Sequence, residues 1–245
     1  MLVALALALA APAAAAAPAA PAPPSAPAEI NLASLASGPY RAETLRLSQT
    51  MMPADRYIPM LEAAFVNGFR LALAKDDSFE RKAPGIGDEL IQATLKVARP
   101  FFAATHQASL LTYARFYSRT LSAAEIAELD ALYRSPLGQK LLAGKYGHVA
   151  SSEFASTIDI NKAVTRTDID KINRVATQAS VGDMTQDDVS QLVALSKKPV
   201  FATMKALKPQ IARLEAEQAN DGDPGFDAAV AAAVAAVMKR RGIER

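Results

Sequence analysis

The chain holds two histidines, and neither stands in a pattern that commits it to chemistry. His148 is followed by Ser151, Ser152 and Glu153, the residue types of a hydrolase. On a helix, His148 and Ser152 would lie one turn apart on one face. A serine nucleophile also needs an oriented base and an oxyanion hole, and the chain has no G-x-S-x-G elbow. His148 is therefore expected on the surface or partly buried. His106, between Phe102 and Leu110, is expected at the core edge. No histidine–carboxylate pair has zinc spacing. Asn220, Asp221, Asp223 and Asp227 could offer oxygens to a hard cation. They lack the alternating ligands and distal glutamate of a calcium loop, so a turn with an N-cap at or near Asp227 is expected. Gly85-Ile86-Gly87 has no preceding strand and no following lysine–serine/threonine pair, so it is not a phosphate loop. Cysteine is absent, which removes disulfides, thiolate nucleophiles and zinc–thiolate sites. No catalytic, cofactor-binding or metal-ligating residue is assigned, and no cofactor is expected.

Tyr133, Arg134 and Lys140 are the candidate interaction surface. Tyrosine and arginine are over-represented at interface hot spots. The structural alternative is that Tyr133 packs, Arg134 offsets the C-terminal dipole of its helix, and Ser135-Pro136 makes a corner.

These residues sit in the most patterned stretch, LSAAEIAELDALYRSPLGQKLLA, residues 121–143. Ser122 and Glu125 have capping-box spacing, and Leu121 and Ile126 can form a hydrophobic staple around it. Ile126, Leu129, Leu132 and Tyr133 follow at helical spacing. Ser135 precedes a proline, so the helix should stop near Arg134. Ser135 and Pro136 then suit the cap and first position of a second helix, which would bury Leu137, Leu141 and Leu142. The stretch resembles the signature of the bacterial envelope family called domain of unknown function 2059. Tyr133, Arg134, Ser135, Pro136, Gly138 and Lys140 carry the resemblance, which is clearest over residues 116–154. It implies a secreted, all-helical protein and no activity.

A gapless shift of 63 residues lays this pattern on MTQDDVSQLVALSKKPVFATMKA, residues 184–206. Leu121 meets Met184, Ser122 meets Thr185, Glu125 meets Asp188, Leu129 meets Leu192 and Pro136 meets Pro199. An internal helix–proline–helix duplication is expected; two unrelated helix starts of similar design are the alternative. The second copy has Ser196 for Tyr133 and Phe201 for Gly138.

Composition places these elements in a helical protein. Much of the apolar content is alanine and aromatics are 6%, which favours helix over strand. A net charge of +2 gives no basic face of the kind a nucleic-acid binder needs. Residues 1–19 read as a signal peptide, an uncharged apolar run followed by small residues, without the usual basic start. No transmembrane span is expected after its cleavage, since the run is shorter than the roughly 20 residues of a membrane helix. Residues 20–38 read as an alanine- and proline-rich disordered linker, and 39–245 as the helical domain.

Helices are expected over 39–51, 58–75, 101–118, 168–178, 185–197, 199–218 and 226–241. Another should start at a cap on Asp88 and be kinked or divided by Pro100. The helix after Pro136 is expected to continue to about 160. The last helix carries an apolar stripe, Phe226, Val230, Val234, Val237 and Met238, expected to fold back onto the helix before it, with a groove on a partner as the alternative. The fold class is all-α, a bundle of roughly nine short helices. The expected role is a non-catalytic interaction or structural protein of the envelope, periplasmic or secreted, with an unknown protein partner. The alternative is a binder of a lipid or other apolar ligand in an inter-helix cleft; a hydrolase comes third.

Overall fold

The computed structural model describes residues 30–75, 80–81, 83–151, 163–182 and 184–243. Among them there is no strand, and nine α-helices follow a short 3-10 turn at Leu32–Leu35. They are α1 (Ala42–Met51), α2 (Ala54–Lys75), α3 (Ile86–Thr120), α4 (Ala123–Arg134), α5 (Pro136–Val149), α6 (Arg166–Gly182), α7 (Gln186–Ser196), α8 (Pro199–Asn220) and α9 (Pro224–Arg240). The expected all-α bundle is what the chain builds. Residues 1–19, expected as a signal peptide, lie outside the described residues.

α3 is the axis. Its 35 residues span roughly 52 Å at 1.5 Å per residue, and α1, α2 and α9 pack along it. Its C-terminal half supplies Tyr113, Phe116 and Tyr117 to the main core, where they meet Leu47, Met51, Ile126, Leu129, Leu142, Ile172 and Ile211 from five other helices. Its N-terminal half is covered by α2 and α9, through Ile86, Leu90, Val237 and Met238. Farther along, Phe102 packs with Phe65 and Phe226.

Several boundaries differ from expectation. α3 runs unbroken through Pro100. Interior proline costs a helix about 3 kcal/mol, but Ala98 and Phe102 are buried on either side of it and hold the two halves in line. α2 starts at Ala54, ahead of Pro59, because fully buried Tyr57 anchors its first turn. Asp88 does not cap α3. The N-cap is Gly85, at φ 81°, a left-handed conformation glycine adopts freely. The side chain of Glu80 accepts the Gly85 and Gly87 amides at 2.6 and 3.2 Å. The 3-10 turn lies ahead of the expected domain boundary at 39: Asn31 caps it, and Leu32 and Leu35 are buried. α5 ends at Val149, short of the expected 160; residues 152–162 lie outside the described residues.

α9 docks on its own chain, but on α3 and not on the preceding α8. Its stripe packs there with Ile86, Leu90 and Phe102. Asp223 caps α9 by accepting the Gly225 and Phe226 amides, with Pro224 at the first position. Arg240 and Arg241 at its far end both reach Glu89 of α3, Arg241 at 2.6 Å. No helix among the described residues is long and apolar enough to cross a membrane.

Candidate functional site

The helix–proline–helix corner is built as its residue types dictate. Ser122 accepts the Glu125 amide and Glu125 accepts the Ser122 amide, which closes the capping box. α4 stops at Arg134, and the Ser135 hydroxyl accepts the Gly138 amide at 3.1 Å to start α5. The turn is so tight that a Cβ on Gly138 would lie 2.1 Å from the Leu132 carbonyl oxygen and 2.6 Å from the Tyr133 Cα. Only glycine lets α5 leave at that angle.

The three candidate surface residues separate. Tyr133 is 4% exposed, and burial pushes its phenol up to about 12. It is a core side chain, which corrects its assignment to a surface. Arg134 stays exposed and pairs with Asp130 one turn earlier at 2.8 Å. It borders an open polar cleft of about 340 Å³ with Arg46, Asp55 and Arg56. Lys140 reaches across to Asp188 at 2.7 Å. With the Thr185 hydrogen bonds, that ammonium holds the Asp188 carboxyl down at about 2.

Asp188 is the box acid of α7, and α7 starts as α4 does. Thr185 has the same φ of −72° and ψ of 163° as Ser122, and both box hydrogen bonds form. α7 ends at Ser196 and α8 begins at Pro199, so the second proline also separates two helices. The contacts are reciprocal. Lys140 binds Asp188, and Thr203, 63 positions after Lys140, donates to Glu125, 63 before Asp188, at 2.6 Å. Burial alone would raise the Glu125 carboxyl, but the bonds from Thr203 and Ser122 hold it lower. Leu137 and Leu141 pack on Leu192, while their counterparts Val200 and Met204 share a core cluster with Leu129.

A second cluster is fully inside. Glu215 of α8 is 0% exposed and accepts from Tyr113 of α3 at 3.3 Å and Asn173 of α6 at 3.1 Å. Lys145 of α5 is 3% exposed, with its ammonium 5.1 Å from the Tyr146 ring centre. Burial lowers the Lys145 ammonium to about 8 despite the pull of Glu215, and burial raises the Glu215 carboxyl. The cluster ties α3, α5, α6 and α8 together.

A groove of about 880 Å³ opens between α6, α7 and α8. That is within the roughly 300–1,000 Å³ of small-molecule sites. Arg166, Lys171 and Arg174 line it from one half of α6, and Val181 and Gly182 from the other. α7 adds Val189 and Leu192, and α8 adds Lys208 and Pro209. Asp170 is its one carboxylate, 3.7 Å from Arg166 and 3.8 Å from Lys208.

Neither histidine lines the groove. His106 is buried and donates from Nε2 to the Met52 carbonyl at 2.9 Å. His148 is half-buried on α5, and Ser152 and Glu153 lie outside the described residues. Asn220 exchanges two hydrogen bonds with the Val164 backbone, both at 2.8 Å, and Asp223 is spent on its cap. Among the described residues no group of side chains could hold a metal ion.

Residues 111–146 match the family described as uncharacterized protein conserved in bacteria (DUF2059). The match confirms the resemblance drawn from the signature. No curated protein and no solved structure matches the chain. The DUF2059 stretch covers the end of α3, all of α4 and most of α5. Within it the signature residues do structural work, as core tyrosine, cap serine, first-turn proline and close-approach glycine. Lys140 extends that work to α7. The groove lies wholly outside the DUF2059 stretch. Sequence reading missed it because its walls come from three helices. The one legible signal was α6, whose charged positions recur on one face.

Proposed function

We propose that this chain is an exported, non-catalytic protein of the bacterial envelope that holds an apolar ligand between α6, α7 and α8. The groove carries this reading, having a volume of about 880 Å³ and an apolar end made by Val181, Val189 and Leu192. Large exposed hydrophobics among the described residues are limited to Tyr40, Val181 and Val193, which is too scattered for a broad protein-docking face. The export reading rests on the apolar, uncharged N-terminus and the alanines after it. In the native host the protein should fractionate with the periplasm or medium, with a mature N-terminus between about 14 and 20. Retention of Met1 in the cytoplasm would overturn export. Saturable uptake of the neutral probe N-phenyl-1-naphthylamine, lost in V181D/V189D, tests the groove. Equal uptake by both proteins would reject it.

We also infer that residues 121–143 and 184–206 are two copies of one helix–proline–helix unit. The matched capping boxes and the exchanged contacts support it. Unit-to-unit contacts that repeat with the roles reversed are what a two-fold relation produces. A crystal structure in which the two units superpose through both helices is the expected result; crossing angles of opposite hand would reject the duplication.

A further inference from the structure

We propose that the groove is built for a single-chain amphiphile with an anionic head, a long-chain fatty acid lying along α6. This rests on the reading of the groove as a ligand site and adds the head group and its orientation.

Thr167, Asp170, Lys171, Arg174, Thr177, Gln178 and Val181 line it. They fall at i, i+3, i+4, i+7, i+10, i+11 and i+14, a single helix face. From Arg166 to Val181 that face is roughly 22 Å long. Its polarity changes along the way. Arg166, Lys171 and Arg174 occupy the first half, with Asp170 and Lys208 beside them. The far end is apolar, Val181 from α6 with Val189 and Leu192 from α7.

Four cations against one carboxylate leave the near end electropositive. Asp170 lies between Arg166 and Lys208 and offsets those two. Lys171 and Arg174 make no hydrogen bond and no ion pair within 4 Å among the described residues, although the Lys171 ammonium helps to hold the Asp168 carboxyl down from outside the groove. An arginine fork suits a carboxylate, which it can bind through two parallel hydrogen bonds. The apolar end suits an alkyl tail. A partner helix suits the space less well. At 10–12 Å across and 22 Å long it would fill about 2,000 Å³, so most of it would stand outside a groove of about 880 Å³.

The test titrates the full chain with cis-parinaric acid, a fluorescent fatty acid, and displaces it with stearic acid or stearyl alcohol. Saturable one-to-one binding is expected, with the alcohol at least tenfold weaker than the acid. The exposed charge reversal K171E/R174E should weaken the acid about tenfold and leave the alcohol unchanged. V181D/V189D should weaken both, and melting curves confirm that both variants fold. Equal displacement by acid and alcohol, or wild-type acid binding in K171E/R174E, would overturn the anionic head group while leaving the apolar groove standing. Absence of saturable binding by any of these probes, or binding unaffected by V181D/V189D, would overturn both readings.

Discussion

Gly138 and Gly147 sit on the same helix and should respond oppositely to one added methyl. At Gly138 the new Cβ meets backbone of the preceding helix at 2.1 Å, and backbone cannot yield as a flexible side chain can. G138A should cost about 3 kcal/mol or more, the upper range for overpacking. Gly147 has nothing within 4 Å, so G147A should stabilise by about 0.4–1 kcal/mol by restricting the unfolded chain. Urea midpoints of the two variants check both signs. Glu215 gives a second residue-scale case. Replacing it by leucine removes the carboxylate that accepts from Tyr113 and Asn173 and that stabilises the Lys145 charge. E215L should cost about 3–5 kcal/mol, and adding K145M should recover most of it. A double-mutant cycle measures the recovery.

Lys145 also sets a pH dependence. Its folded value, about 8, lies below the ordinary 10.5, so between those values the unfolded chain binds the extra proton and stability rises with pH. Tyr57 and Tyr113 are pushed above 10 by burial. Above pH 10 the unfolded chain loses protons that these tyrosines keep, and stability falls. Denaturation midpoints should therefore climb from pH 8 to about 10 and then drop, and K145M should flatten the climb.

At the scale of elements, caps decide where helices start and packing decides where they continue. Ser122 and Thr185 occupy equivalent caps with the same dihedral angles. S122A and T185A should each cost about 1 kcal/mol. The first serves a helix whose Ile126, Leu129, Leu132 and Tyr133 are buried, the second one that buries only Asp188 and Leu192. Hydrogen exchange should therefore show local opening of α7 in T185A, with α4 of S122A still protected until global unfolding. The two corners differ in their connection: Ser135 alone separates α4 from α5, whereas Lys197 and Lys198 separate α7 from α8, and Phe201 stands where the first corner has Gly138.

For the whole molecule, α9 is the clasp on the N-terminal half of α3. Val237 is 1% and Met238 9% exposed, and Phe226 meets the rings of Phe65, Phe101 and Phe102. Ending the chain after Asn220 exposes Ile86, Leu90 and Phe102. Burial of Val237 and Met238 alone contributes roughly 3–6 kcal/mol, against a typical folding stability of about 5–15 kcal/mol. The truncated protein should melt far below the full chain, with exchange fastest in the first half of α3. Equal melting temperatures would show that α9 does not dock there.

What the residue order determined by itself is local. Serine or threonine three residues before an acid set both capping boxes, because the groups that satisfy each other are one turn apart. Pro136 and Pro199 set both corners, because proline constrains the residue before it whatever lies around it. The alanine-rich composition and the recurrence of apolar residues at helical spacing determined that the chain is helical. The tertiary structure decided everything that needs a partner distant in sequence. It carried α3 through Pro100, since burial on both sides outweighs one missing hydrogen bond. It sent α9 to α3, where its stripe packs with Ile86, Leu90 and Phe102. It put Tyr133 inside, because a tyrosine on an amphipathic helix is apolar enough to bury and polar enough to expose, and only the packing of α3 and α5 around it settles which. The groove and the Glu215–Lys145 cluster belong to this second kind. Each is assembled from side chains on three or more helices, brought together only when the bundle closes.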